Sequence, residues 1–152
     1  MKLFIKQRAF SWFDNYKIFD EDGNPIYRIR GELSWGHCLR MYDTDDSEVC
    51  MVREKADTLL PKFEMYIGGT YIGCISKEPD VAKNVYTIDF NGWRIESDLM
   101  ENDFQIYNGT GYQIASMTKE VLNPADTYRI KITSPQDELY VLMLMVAIDA
   151  EK

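Results

Sequence analysis

A single histidine, His37, is the most consequential shortage in this chain of 152 residues. One imidazole argues against His-rich metal sites and leaves one candidate base for a Ser-His or Cys-His pair. Cysteine is scarce too. Cys38, Cys50 and Cys74 are an odd number at wide spacings, which fits neither a disulfide framework nor a metal knuckle. They read as reduced, buried thiols in a cytosol. His37 and Cys38 cannot work together on one extended strand, because adjacent side chains point to opposite faces. Positive charge is in deficit: 17 Lys and Arg stand against 25 Asp and Glu, a net charge of -8. That balance argues against a nucleic-acid binder that works by neutralising phosphates. The amino-terminal apolar run ends after Leu3 to Ile5, too short for the core of a secretory signal, so a cytoplasmic chain is expected.

What is present is a repeat. Apolar residues make up 45% of the chain and aromatics 13%, enough for one packed domain spanning 1–152. A unit of strand, polar turn and second strand recurs at a spacing of roughly 23 residues, which reads as successive hairpins of a meander. Five copies pair Tyr16–Asp20 with Ile26–Arg30, Leu39–Asp43 with Val49–Arg53, Phe63–Ile67 with Tyr71–Ile75, Tyr86–Phe90 with Trp93–Glu96, and Phe104–Tyr107 with Gln113–Met117. Their turns carry Gly and Asn, which supply left-handed backbone at low cost. Gly31 to His37 and similar stretches read as linkers between hairpins. A leading strand over Leu3 to Phe10 and a trailing one over Tyr128 to Thr133 bring the expected count to about twelve, and closure into an antiparallel barrel removes the exposed edges.

About eight strands already make a barrel that its own side chains can fill, so twelve leave a hollow. The filler is in the sequence. Leu139 to Ile148 is ten consecutive apolar residues with no polar face, and a helix apolar all round belongs inside something. Its onset is marked by Ser134 as N-cap, Pro135 at the first helical position and Asp137 three residues after the cap. The expectation is strands over 3–133 and a central helix over 135–150. A bilayer-inserted tail is the lesser reading, since ten helical residues rise only about 15 Å against a hydrocarbon core of roughly 30 Å.

Tyr16 to Gly31 (YKIFDEDGNPIYRIRG), Leu39 to Asp43 (LRMYD), Leu60 to Ile67 (LPKFEMYI), Gly92 to Asp98 (GWRIESD) and Asp137 to Asp149 (DELYVLMLMVAID) occur in an order that resembles the LURP-one-related family of the tubby C-terminal-like superfamily, in its short bacterial form. The resemblance covers nearly the whole chain. It implies a twelve-stranded barrel around a central C-terminal helix. The superfamily includes the phosphoinositide-binding tubby domains and the phospholipid scramblases, but this chain has no cysteine-rich palmitoylation segment, proline-rich tail or strongly basic run of the sort those relatives use at membranes.

The best electrostatic lead lies in the first hairpin. Arg28 and Arg30 share a face, and a turn centred on Asp22 and Gly23 sets Lys17 opposite Arg28. Three cations so placed want an anion, either a protein carboxylate such as Asp14 or Glu32, or a bound phosphate. Residues 1–76 hold 10 of the 17 basic side chains and 12 of the 25 acidic ones, so an anion-binding patch is expected in the first half. Asp20, Asp22 and Asn24, like Asp43, Asp45 and Ser47, alternate as in a calcium loop, but Pro25 and Glu48 stand where that loop requires Gly, and turn chemistry explains both. Trp12, Trp35 and Trp93 read as core and girdle, with Trp35 in a linker as the one aromatic binding hint.

Three functional readings follow. The first is a non-catalytic binding or scaffold domain for a protein or small-molecule partner, with no cofactor, no metal and no nucleic acid. The second is a phospholipid- or phosphoinositide-associated module acting through Lys17, Arg28 and Arg30, against which the net charge argues. The third is an enzyme pairing His37 with a carboxylate.

Overall fold

Strict alternation between apolar and polar residues is what makes each segment a strand with one face to bury. In the third strand Ile29 is fully buried while Arg30 and Glu32 are exposed. A computed structural model of the chain describes residues 1–7, 16–34, 36–55, 59–79, 83–98, 103–119 and 126–151. Among them are twelve strands, one short 3-10 turn and one α-helix. The strands are β1 (Lys2–Gln7), β2 (Tyr16–Phe19), β3 (Pro25–Ser34), β4 (Gly36–Tyr42), β5 (Glu48–Glu54) and β6 (Lys62–Ile67), followed by β7 (Thr70–Lys77), β8 (Lys83–Ile88), β9 (Arg94–Asp98), β10 (Phe104–Tyr107), β11 (Gln113–Lys119) and β12 (Asp126–Ile132). Each pairs antiparallel with its neighbour in sequence, and β1 pairs with β12 to close the barrel.

The helix α1 (Glu138–Glu151) supplies the interior. Val141 to Ile148 are all buried, most of them completely, with no polar stripe. Inward side chains from the wall, Phe63, Phe104, Ile95 and Ile130 among them, form one continuous core with it. At about 1.5–3 kcal/mol for each large apolar side chain removed from water, burial on every side is what makes a helix with no amphipathic face stable here. Phe90 and Trp93 hold the ring of Tyr140 at 5.6 and 6.2 Å, fixing the first turn of α1 against the β8–β9 turn.

The onset of this helix differs from expectation. Pro135–Asp137 is a 3-10 turn, closed by the Asp137 N–H donating to the Ser134 carbonyl at 3.0 Å, and the Ser134 side chain makes no capping bond. The cap is backbone only. The stretch Gly31 to His37 also is not a linker. β3 runs to Ser34, β4 starts at Gly36, and Ser34 faces Gly36 in register. Gly31 suggested a break, but it sits buried inside the strand, where glycine marks close packing and not an end. The described part of the leading strand is Lys2–Gln7; Trp12, Asp14 and Trp35 lie outside the described residues.

Three turns at one end of the barrel share a single design. Asp20 accepts the N–H groups of Asp22 and Asn24, Asp43 those of Asp45 and Ser47, and Asn108 those of Thr110 and Tyr112, all at 2.9–3.0 Å. The fourth residue of each is left-handed: Gly23, Asp46 and Gly111, with φ of 82°, 60° and 88°. A bulge precedes each turn, at Ile18/Phe19, Met41/Tyr42 and Ile106/Tyr107. The calcium-like alternation is therefore turn chemistry, with Oδ1 of Asp20 and Asp43 spent on backbone, and no group of three metal-ligating side chains gathers among the described residues.

Candidate functional site

β2 and β3 pair so that Lys17 stands directly across from Arg28, as the turn spacing implied. Arg30 follows on the same face and meets Arg40 of β4 in register. Barrel closure then adds what linear order hides. β1 lies between β2 and β12, so Lys6 takes the register position opposite Lys17, Lys2 faces Lys131, and Phe4 faces Phe19 on one side and Arg129 on the other. Four adjacent strands, β12, β1, β2 and β3, thus carry a wall of cations on a protein of net charge -8. The patch is not confined to the first half of the chain as expected, because composition by halves ignores the seam between first and last strands.

The counter-charges are also not the expected ones. Glu32 gives its carboxylate to Arg40 at 2.6 Å, and Glu48 holds the same guanidinium at 2.8 Å. These two hydrogen bonds raise the Arg40 pKa further and take Glu32 away from the triad. Arg28 instead reaches Asp46 at 3.4 Å and lies over the Tyr42 ring at 4.8 Å. Among the described residues no ion pair reaches Lys17 or Arg30. Lys17, Arg28, Asp43 and Asp46 together line an open groove of about 210 Å³. Asp46 is the contributor sequence reasoning missed; its sign was the break in turn chemistry, a carboxylate where the sister turns have glycine.

His37 and Glu54 meet at the opposite end of the barrel. Both share the inward face with Leu39 and Val52, and His37 Nδ1 lies 3.0 Å from the Glu54 carboxylate. This is the carboxylate within reach of His37 that the enzymatic reading required. Cys38 points to the other face and is buried, which pushes its thiol up and away from the thiolate form. Cys50 is pushed up to about 12 by burial, then by Glu48, while Cys74 is only partly buried and is raised by desolvation. Trp93 belongs to the core, as expected.

Fold and wall together define a class: a closed antiparallel β-barrel threaded by its own carboxy-terminal helix, with charge organised by strand on the outside. The LURP-one-related family model matches residues 1–149, and the chain belongs to that family. It is 29% identical over 150 residues to the Bacillus subtilis (strain 168) protein named "Uncharacterized protein YxjI", an alignment covering 98% of this chain and 92% of that one. It is similar in fold to an X-ray structure of a protein from Arabidopsis thaliana, with a TM-score of 0.71 at 16% identity, over 97% of this chain and 88% of the other. Among the described residues no helix is long and apolar enough to cross a membrane.

Proposed function

We propose that this barrel is a non-catalytic binding module of the cytoplasm that recognises an anion-bearing protein or small molecule on the wall centred on Lys17, Arg28 and Arg30. The observation that carries the reading is the register that aligns Lys17 with Arg28 and Lys6 with Lys17. Directly opposed like charges cost stability, so a folded chain that keeps them benefits when an anion lies across them. Melting the intact protein in citrate and in sulfate of matched ionic strength tests it, because a ligand that binds only the folded state raises the melting temperature. The wild type gains stability specifically in one anion, and the Arg28→Glu/Arg30→Glu variant does not. Equal gains in both proteins remove the wall as the binding surface.

A membrane lipid is the second reading, favoured by Phe4 and Phe19 facing each other amid the cations, since an aromatic pair in a basic surface suits the interface of an anionic bilayer. Flotation with neutral and anionic liposomes at low and moderate salt separates the two. Salt-sensitive flotation that is lost in Arg28→Glu/Arg30→Glu supports the lipid reading. No flotation under any condition removes it and leaves the protein or small-molecule partner.

A further inference from the structure

A second groove, of about 270 Å³, lies on the outside of the seam, where β1, β12 and β11 run side by side. Three of its side chains stand in one line across the strands: Lys2 is directly opposite Lys131, and Lys131 directly opposite Ser116. With strands about 4.8 Å apart, that line is roughly 10 Å long, within reach of one multivalent anion. Neither lysine has an ion-pair partner among the described residues, and the Ser116 hydroxyl has no hydrogen-bond partner there. A carboxylate oxygen of Glu21 accepts the Lys2 backbone N–H at 2.9 Å.

The groove is braced by backbone. The Ile132 N–H donates to the Met1 carbonyl at 2.9 Å, the Thr133 N–H to the Ile114 carbonyl at 3.0 Å, and the Thr133 hydroxyl to the Gln113 carbonyl at 3.1 Å. Those bonds hold three strands in fixed register, so the two ammonium groups cannot separate by letting the strands part. An isolated pair of opposed lysines is unfavourable. Two ammoniums with a hydroxyl donor beside them match the oxygens of a phosphate monoester, which carries close to two charges at neutral pH and accepts several hydrogen bonds.

We propose that Lys2, Lys131 and Ser116 form a phosphomonoester site, distinct from the Lys17–Arg28 groove, on the same barrel that we read as a binding module. The volume is slightly below the roughly 300 Å³ at which drug-sized pockets begin, which suits a phosphate on a small organic stem, whether a soluble metabolite or a lipid headgroup.

The test uses the intact chain with glycerol 3-phosphate by titration calorimetry, and with vesicles of phosphatidylcholine with or without phosphatidic acid by flotation. Saturable binding of either phosphomonoester at low salt is expected, weakened about tenfold or more in Lys2→Gln/Lys131→Gln and a few-fold in Ser116→Ala, and retained in Arg28→Glu/Arg30→Glu. Binding of glycerol 3-phosphate without flotation identifies a soluble ligand; flotation with phosphatidic acid alone identifies the lipid. Circular-dichroism melts confirm that each variant is folded before its affinity is compared. Undiminished affinity in folded Lys2→Gln/Lys131→Gln overturns the site, as does the absence of saturable binding to any of these probes. Binding lost only in Arg28→Glu/Arg30→Glu overturns it as well, while leaving the wall reading intact.

Discussion

Two arcs of one barrel treat charge in opposite ways. On the arc from β4 to β9 the outward arginines are matched by carboxylates: Arg40 by Glu32 and Glu48, Arg53 by Glu64 at 3.4 Å, and Arg94 by Glu96 and Glu78 at 3.1 and 3.5 Å. On the arc from β12 through β1 and β2 to β3, Lys131, Lys2, Lys17 and Arg30 have no such partner among the described residues, and Arg28 has only Asp46, which is 81% exposed. Both arcs are antiparallel strands of one barrel, so the contrast in charge comes from their side chains. Matched pairs on a surface contribute little energy and project little field. Unmatched cations on adjacent strands add their potentials, and that sum is what the proposed anion recognition rests on.

Both arcs depend on the same axle, and removing it gives the largest effect. Leu142 and Leu144 are fully buried. Leu142→Asp places an unpaired carboxylate in the core at a cost of several kcal/mol, comparable to the whole stability of a domain this size. Loss of the cooperative thermal transition by circular dichroism is the expected result. An unchanged melting temperature places the helix outside and dissolves the comparison between arcs of a filled barrel.

A polar link joins the unmatched arc to the axle. Tyr27 of β3 stands near Glu138 in the first turn of α1; burial first, then the Glu138 charge, pushes its phenol up to about 12. Burial raises the Glu138 carboxyl too, and the Tyr27 phenol opposes that rise. A phenol held above its ordinary value of 10 stabilises the fold below pH 10, and that contribution is lost as pH climbs through about 12. Tyr27→Phe is expected to cost about 1 kcal/mol at neutral pH through loss of the phenol's polar interaction with the Glu138 carboxylate. It also flattens the alkaline limb of the stability curve; an unaltered slope between pH 10 and 12 in urea melts contradicts the link.

How much of this was legible in the sequence depends on whether a feature is local. The hairpins were, because the Asp20 and Asp43 turns announce themselves within five residues and the 23-residue step between them matches the strand repeat. The axle was, because Leu139 to Ile148 has no polar face and twelve strands leave a hollow. Lys17 opposite Arg28 followed from one turn. The Lys2–Lys131 contact did not, since it joins residues at opposite ends of the chain across the closing seam, and neither did the reach of Glu32 to Arg40 or of His37 to Glu54. Side-chain choice among several nearby partners is decided by strand twist and rotamer, which residue spacing does not carry.

A paired substitution compares the arcs directly. Arg40→Gln leaves Glu32 and Glu48 facing each other without their shared guanidinium and is expected to cost about 1 kcal/mol, discounted for partial exposure. Arg30→Gln, at the position across the same strand pair, removes a cation with no partner and relieves its repulsion with Arg40, so stability stays level or rises slightly. Urea melts at low salt read both, and added salt should shrink the gap between them. Equal losses at the two positions erase the distinction between matched and unmatched walls.

Asp46 is the smallest lever on stability and the sharpest on recognition. It is the non-glycine member of three sister turns at the left-handed position, with φ of 60° where Gly23 and Gly111 stand in the others. Asp46→Gly relieves that backbone at the expense of a looser unfolded chain and an exposed ion pair, so the net change in stability stays within about 0.5 kcal/mol. The same substitution removes the carboxylate that Arg28 now reaches, leaving the Lys17–Arg28 pair with a stronger unsatisfied field. Anions that bind the wall should therefore bind Asp46→Gly more tightly than wild type, most visibly at low salt. If affinity falls instead, Asp46 takes part in holding the ligand, and the wall recognises a group carrying both charges and not an anion alone.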